Sequence, residues 1–424
     1  MGFTVKLKER SSYIIAFCAT IVRYYDYALF GLSASLISKH FMPGKDNSEQ
    51  MLVFFAIFSV AVLARPVGSI IFGKIADRVS RIASVKIATV MAIISTSLIA
   101  VIPSFELISW FSVAALIFCR MVFMMSLAGE VDAIKVYVAE KIGNEKRHFG
   151  AGIVSFSSQI GVLLASVMYH IAISYEEIKW LWKMNFVIGG ILGLAVFMMR
   201  GYFSESKVFL KEATTGSRLD ADEGIISIIW NNKLKFVLSS IVNGMIGGSY
   251  HFLVVFLGAF AANVINIIPP EQAASNNSKL IALYGVACIL SGYIADKVKV
   301  IAQVSIALTA SIICVLVMEF MVEMNVFVIE LHYTLAFIVP FYTIPCAIKV
   351  QSLFPIGIRM RMFSLSHSIG SMIFSSTTPF ICMLLWKSTE LPSIVLSYFL
   401  AQLGILFFVM IYIANKNYVS MFKT

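Results

Sequence analysis

Charge is what this chain has least of. Asp, Glu, Lys and Arg make up 13% of its 424 residues, while 59% are hydrophobic. Soluble domains carry about 25% charged residues, and a soluble fold has no means of hiding this much apolar surface from water. Cysteine is also sparse. Cys18, Cys119, Cys288, Cys314, Cys346 and Cys382 all sit in apolar runs, with no C-x-x-C pair and no zinc-type spacing, which leaves them as small packing residues. No G-x-x-x-x-G-K-[ST] loop occurs, so ATP is not the direct energy source. H-E-x-x-H and G-x-S-x-G are missing too, and no catalytic carboxylate pair or metal cluster replaces them, so no enzyme is expected. The net charge of +10 does not indicate nucleic acid, because the basic residues lie in short segments between apolar runs rather than on one surface.

What is present is a series of apolar runs long enough to cross a bilayer core of about 30 Å. Twelve are read, at about 12–39, 50–73, 82–103, 106–134, 148–173, 183–200, 234–263, 278–296, 300–321, 326–349, 361–386 and 391–414. The first run is long and holds Arg23 and Asp26, which suits a retained helix better than a cleaved signal peptide. With the N-terminus in the cytoplasm, most of the 33 Lys and Arg fall on the cytoplasmic side. Lys39, Lys45, Lys179, Lys183, Lys279 and Lys387 fall opposite. That asymmetry sets the orientation, and both termini inside require an even number of spans. Usage leaning to Ile, Lys and Asn suits an AT-rich bacterial genome, so the expected location is a bacterial inner membrane. The polar stretch 201–233 divides the chain into an N-terminal six-helix bundle (1–200), a cytoplasmic central loop and a C-terminal six-helix bundle (234–424).

The halves carry a repeat. Gly73-Lys74-Ile75-Ala76-Asp77-Arg78-Val79 follows the second run, and Gly292-Tyr293-Ile294-Ala295-Asp296-Lys297-Val298 follows the eighth. A duplicated half implies two bundles with a cavity between them. Gly73 and Gly292 permit close helix approach. Asp77 and Asp296 can accept from the N-terminus of a neighbouring helix. With Arg78, Arg81 and Lys297 they form a candidate latch that holds one conformation and breaks in another.

Several strings resemble the major facilitator superfamily, and within it the metabolite:proton symporter family. Gly73, Asp77, Arg78, Ser80 and Arg81 match its G-x-x-x-D-R-x-[GS]-R loop. Arg23 to Gly31 resembles E-W-Y-D-F-x-x-Y-G, with Arg23 in place of the acid. Ala64-Arg65-Pro66-Val67-Gly68 resembles A-R-P-[LIV]-G. Arg120 to Glu130, followed by Tyr137 and Glu140, resembles R-x-x-Q-G-x-x-x-G-G-E with Y-x-x-E, although Ala128, Asp132 and Lys135 depart from it. Phe354-Pro355 with Arg359 resembles F-P-x-x-x-R, and Glu205 with Phe209 resembles E-x-P-x-F. The resemblance implies an all-α membrane protein of twelve helices in two bundles. It implies a monomer that imports a small polar metabolite by proton symport, with the proton as coupling ion and no other cofactor. A proton-independent exchanger or facilitator of the same fold stays open, as does a non-transporting sensor.

Charge at mid-membrane is costly and asks for a partner or a wet cavity. Asp26 is read either as a proton-coupling or substrate-orienting carboxylate, or as the structural partner of Arg23, three residues earlier on the same face. Arg120 is a candidate clamp for Asp26 or for a substrate carboxylate. Arg65 is expected to brace the latch loop, and Glu130 to gate against it. Among the histidines within runs, His170, His251, His332 and His367, the best candidate is His251. It follows Gly247-Gly248-Ser249-Tyr250, where small residues allow a helix to break beside a cavity. Tyr24, Tyr25, Tyr27 and Tyr250 are expected to line that cavity. Arg23 and Arg120 favour a carboxylate-bearing compound, either an organic acid or a zwitterion.

Overall fold

The structure is a computed structural model. It describes residues 2–42, 46–78, 81–142, 144–175, 177–178, 180–199, 225–324, 328–354 and 356–421, with side chains from residue 17 onward except at 73–74, 76–78, 81–82, 132–142, 144, 225, 356–360 and 416–421. Among the described residues there are helices and turns and no strand. That is what lipid demands, since a helix satisfies its own backbone where no water can.

Helix α1 covers Gly2–Leu32 and is continued past Ser33 by Ala34–Phe41. Eleven helices among the described residues are long and apolar enough to cross a membrane. They are α2 (Asn47–Phe72), α3 (Ala83–Val101), α4 (Trp110–Val131), α5 (Arg147–Ser174), α6 (Leu181–Met199), α7 (Lys233–Asn263), α8 (Pro270–Ala295), α9 (Val300–Glu323), α10 (Ile329–Gln351), α11 (Arg361–Thr389) and α12 (Ser393–Asn415). These match the apolar runs after the first to within a few residues, with one exception. Helix α8 begins at Pro270 rather than 278. Pro270 occupies the first turn, where its missing N–H costs nothing, and Glu271 meets the positive end of the helix. The polar residues after them are absorbed by neighbours: Asn277 donates to the Val254 carbonyl at 3.0 Å, and Tyr333 donates to Asn276 at 3.2 Å.

Large apolar side chains that face outward, such as Phe111, Phe118, Ile306 and Phe408, are well exposed. Lipid tolerates what water would not. The buried core runs through both halves of the chain. One close seam joins α5 to α8, where a Cβ on Gly292 would lie 2.4 Å from the His148 carbonyl oxygen. Only a residue without a side chain fits there.

Two stretches in the second half widen to π-helical turns, His251–Leu257 in α7 and Ser371–Ser375 in α11. The Gly247-Gly248 signal therefore marks a change of helical register just after it, not a break. Gly73, Asp77 and Arg78 fall in the helix Ala64–Arg78, Arg81 opens Arg81–Val101, and Arg359 falls in Ile356–Gly370. The side chains of these five lie outside the described residues, as do those of Asp132, Lys135, Tyr137 and Glu140, and the whole of Glu205, Phe209 and Pro355. Of the expected central loop, 201–224 also lies outside them, and its end forms the short helix Ile225–Asn231.

Candidate functional site

A cavity of about 200 Å³ lies between the halves. From the first half α1 contributes Tyr24 and Tyr27, α2 contributes Arg65, and α5 contributes Gln159. From the second, α7 contributes Asn243, Tyr250 and His251, α8 contributes Tyr284 and Cys288, and α11 contributes His367. His251 bridges the halves. Its Nε2 is 2.7 Å from the Tyr27 hydroxyl and its Nδ1 is 2.8 Å from Ser375 Oγ. One ring nitrogen of a neutral imidazole donates and the other accepts, so the bridge passes a hydrogen bond from α1 to the π-turn of α11. Tyr250 donates to Gln159 at 3.2 Å, a second link across the halves. Arg65 donates through Nη1 to Ser371 at 3.1 Å, and its Nη2 is 3.3 Å from His367 Nδ1. Arg65 therefore stands in the cavity wall, bonded to α11.

Asp26, Arg23, Arg120, Glu130 and Tyr25 are not in that wall. They form a buried polar cluster within the first half. Arg23, which the sequence places within reach of Asp26, forks instead onto Glu130 of α4. Its Nε and Nη2 donate to the same oxygen, Oε2, at 3.0 and 2.6 Å. A residue on a facing helix presents its carboxylate end-on, whereas a neighbour three positions along the same helix lies parallel. Arg120 is 1% exposed, with its guanidinium 4.0 Å from the Phe30 ring centre and 4.8 Å from that of Phe123. Its Nε and Nη2 meet no acceptor among the described residues. Tyr25, expected in the cavity, donates to the Asn185 carbonyl at 2.8 Å.

Asp26 is 2% exposed, and its Oδ1 finds no donor among the described residues. It lies within electrostatic reach of Arg23, Arg120 and Glu130. Gly189 of α6 makes the space it occupies, since a Cβ there would lie 2.2 Å from that oxygen.

The second copy of the repeat ties the two halves together. Asp296 accepts from the backbone N–H groups of His148 at 3.1 Å and Phe149 at 2.9 Å, and its Oδ1 is 2.7 Å from His148 Nδ1. One carboxylate thus caps the N-terminus of α5 from the other half. Sequence reasoning anticipated the acceptor and its helix-end partner, but not which helix. At the same end Ser69 bonds Ser368 at 2.8 Å. At the opposite end the halves meet through Glu49–Lys387 at 3.2 Å, Ser174–Glu271 at 3.2 Å and Ser166–Ser278 at 2.9 Å. Lys297, in the turn just after α8, bonds Tyr293 of that helix and lies over its ring. Among the histidines, His332 bonds the Leu253 carbonyl at 2.9 Å, a packing role. Gln159, Asn243 and Tyr284 were missed. The signal for the first two was an amide side chain inside an otherwise apolar span.

Two groups of membrane-length helices around a polar cavity, with contacts between the groups at both ends, are the architecture of a secondary transporter. The chain belongs to the sugar (and other) transporter family, which matches residues 12–234. It is 25% identical to the citrate-proton symporter of Salmonella typhi, over 86% of this chain and 85% of that protein. It is also 25% identical to the proline/betaine transporter of Escherichia coli K12, over 90% and 79%. Its fold superimposes on the xylose transporter of E. coli in a partially occluded inward open conformation, with TM-score 0.71, 15% identity and coverage of 94% and 96%. The motif resemblance to the metabolite:proton symporters of the major facilitator superfamily therefore holds, and the protein is a multi-pass membrane transporter.

Proposed function

We propose that this chain imports a small carboxylate-bearing metabolite by proton symport across a bacterial inner membrane. In this reading α1 is a twelfth span, both termini are cytoplasmic, and the units 1–200 and 234–424 rock about the central cavity as a monomer. The observation that carries it is the separation of two polar sites in one membrane-depth core: a cavity between the halves for the substrate, and Asp26 off the cavity for the proton. Asp26 changes by a full charge when a proton binds or leaves, next to arginines that feel the change. It shares α1 with Tyr24 and Tyr27, which line the cavity, so proton state and substrate geometry act on one helix. The relatives, named for proton symport of citrate and for proline and betaine, support this class of cargo.

The test is uptake into proteoliposomes of labelled proline, glycine betaine, citrate and succinate, with and without an inward proton gradient. One compound accumulates only with the gradient, and Asp26→Asn abolishes accumulation while sparing counterflow. Accumulation that ignores the gradient would assign the exchanger reading instead.

A further inference from the structure

We infer that the cavity selects a zwitterion with one carboxylate and an alkylated ammonium over di- and tricarboxylates. The inference rests on the transport reading above and narrows it. Among the described residues that line the cavity, Arg65 is the one arginine, and none is Asp, Glu or Lys. The other two buried arginines are elsewhere, Arg23 on Glu130 and Arg120 against Phe30 and Phe123. One guanidinium matches one carboxylate by a forked pair of hydrogen bonds. A second or third carboxylate would be left in a low-dielectric site with no cation to meet it.

Four tyrosines share the wall with small polar, amide and aliphatic side chains. Tyr24 and Tyr27 pack edge to face with ring centres 6.3 Å apart, and Tyr250 and Tyr284 do the same at 5.5 Å. A tyrosine ring face is the electron-rich surface that attracts a cation. Among the described lining residues there is no carboxylate of the kind a primary ammonium would need on leaving water. An alkylated ammonium is weakly hydrated and suits ring faces. Arg65 and the tyrosines thus divide the substrate into an anionic end and a cationic end. Because Arg65 bonds Ser371 and His367 of the other half, a carboxylate bound to it sits on the seam that opens and closes.

The experiment is ligand-induced thermal stabilisation of the full-length protein in detergent, which needs no gradient. The probes are glycine betaine, its isostere 3,3-dimethylbutyrate in which carbon replaces the quaternary nitrogen, choline, succinate and citrate. Betaine is expected to bind at least about tenfold more tightly than the isostere, which lacks the cation, and than choline, which lacks the carboxylate. Arg65→Gln should remove most of the advantage over choline, and Tyr250→Leu, but not Tyr250→Phe, most of that over the isostere. Citrate or succinate binding as tightly as betaine, or equal binding of betaine and the isostere, would overturn the inference from the unmodified protein alone. Gradient-driven citrate uptake without betaine binding would overturn it and leave symport standing. Tight betaine binding without gradient-driven uptake would support it and sink symport.

Discussion

Removing the Asp296 carboxylate should shift the balance between conformations by an amount that follows from its three contacts. It caps the first turn of α5 through two backbone N–H groups and meets the His148 ring, with both side chains mostly buried, 10% and 14% exposed. A side-chain cap at a helix N-terminus contributes about 0.5–2 kcal/mol, and its charge against the helix dipole about 0.3–1 kcal/mol. In the state where α5 and α8 separate at this end, water takes over these bonds, so the capping energy favours the latched state. Asp296→Asn keeps an acceptor and loses the charge, a cost of about 1 kcal/mol. Asp296→Ala loses the cap as well, about 2 kcal/mol. At about 1.4 kcal/mol per tenfold, the unlatched population rises roughly fivefold and thirtyfold.

The reporter for this shift is Cys288, which lines the cavity and is 0% exposed in the latched form. With the other five cysteines replaced, an impermeant maleimide added from the latch side should label it faster in the order wild type, Asn, Ala. Equal rates in all three folded proteins, or faster labelling from the opposite side only, would refute the reasoning.

Gly189→Ala puts a methyl where Asp26 Oδ1 now lies, 2.2 Å from the new Cβ. Overpacking of this kind costs about 1–3 kcal/mol, so chemical denaturation should show lower stability and uptake should lose its dependence on the gradient. Glu130→Gln strands Arg23 in the core and should cost about 3–5 kcal/mol, whereas Arg23→Met with Glu130→Leu should recover most of the loss; equal stability of the two variants would contradict the buried pair. Lys387→Ala breaks an ion pair whose members are 47% and 37% exposed. Such pairs are worth about 0–1 kcal/mol, so stability and transport rate should change little, and a large effect would show that this contact governs closure.

The spans were legible because lipid imposes a simple rule on composition, and eleven of the apolar runs reappear as helices within a few residues. The helical start of α8 was not legible. Its polar first turns, Glu271 to Ser278, read as loop until the carbonyl of Val254 and the hydroxyl of Tyr333 are placed beside them. The repeat foretold that Asp296 accepts from a helix end, because a short acidic residue after a glycine at a span's edge has few other uses. That the helix is α5 depends on which elements pack, and no periodicity in one helix carries that.

The candidate site divides the same way. His251 and Tyr250 were found beside their glycines, and a charge as rare as Asp26 inside an apolar run marks itself. Composition and spacing alone placed the chain in a membrane, located eleven of its spans, showed one string recurring in both halves, and marked the few polar groups buried at a cost. How those groups divide was set by the packing of the helices. It gave Arg23 to Glu130, set Asp26 against Gly189, and moved Arg65 from a presumed brace to the cavity wall. The reason is that partners in a helical bundle lie on facing helices more than a hundred residues apart, as Arg23 and Glu130 do. Which face meets which is settled by close packing of the whole, at a seam as tight as Gly292 on His148.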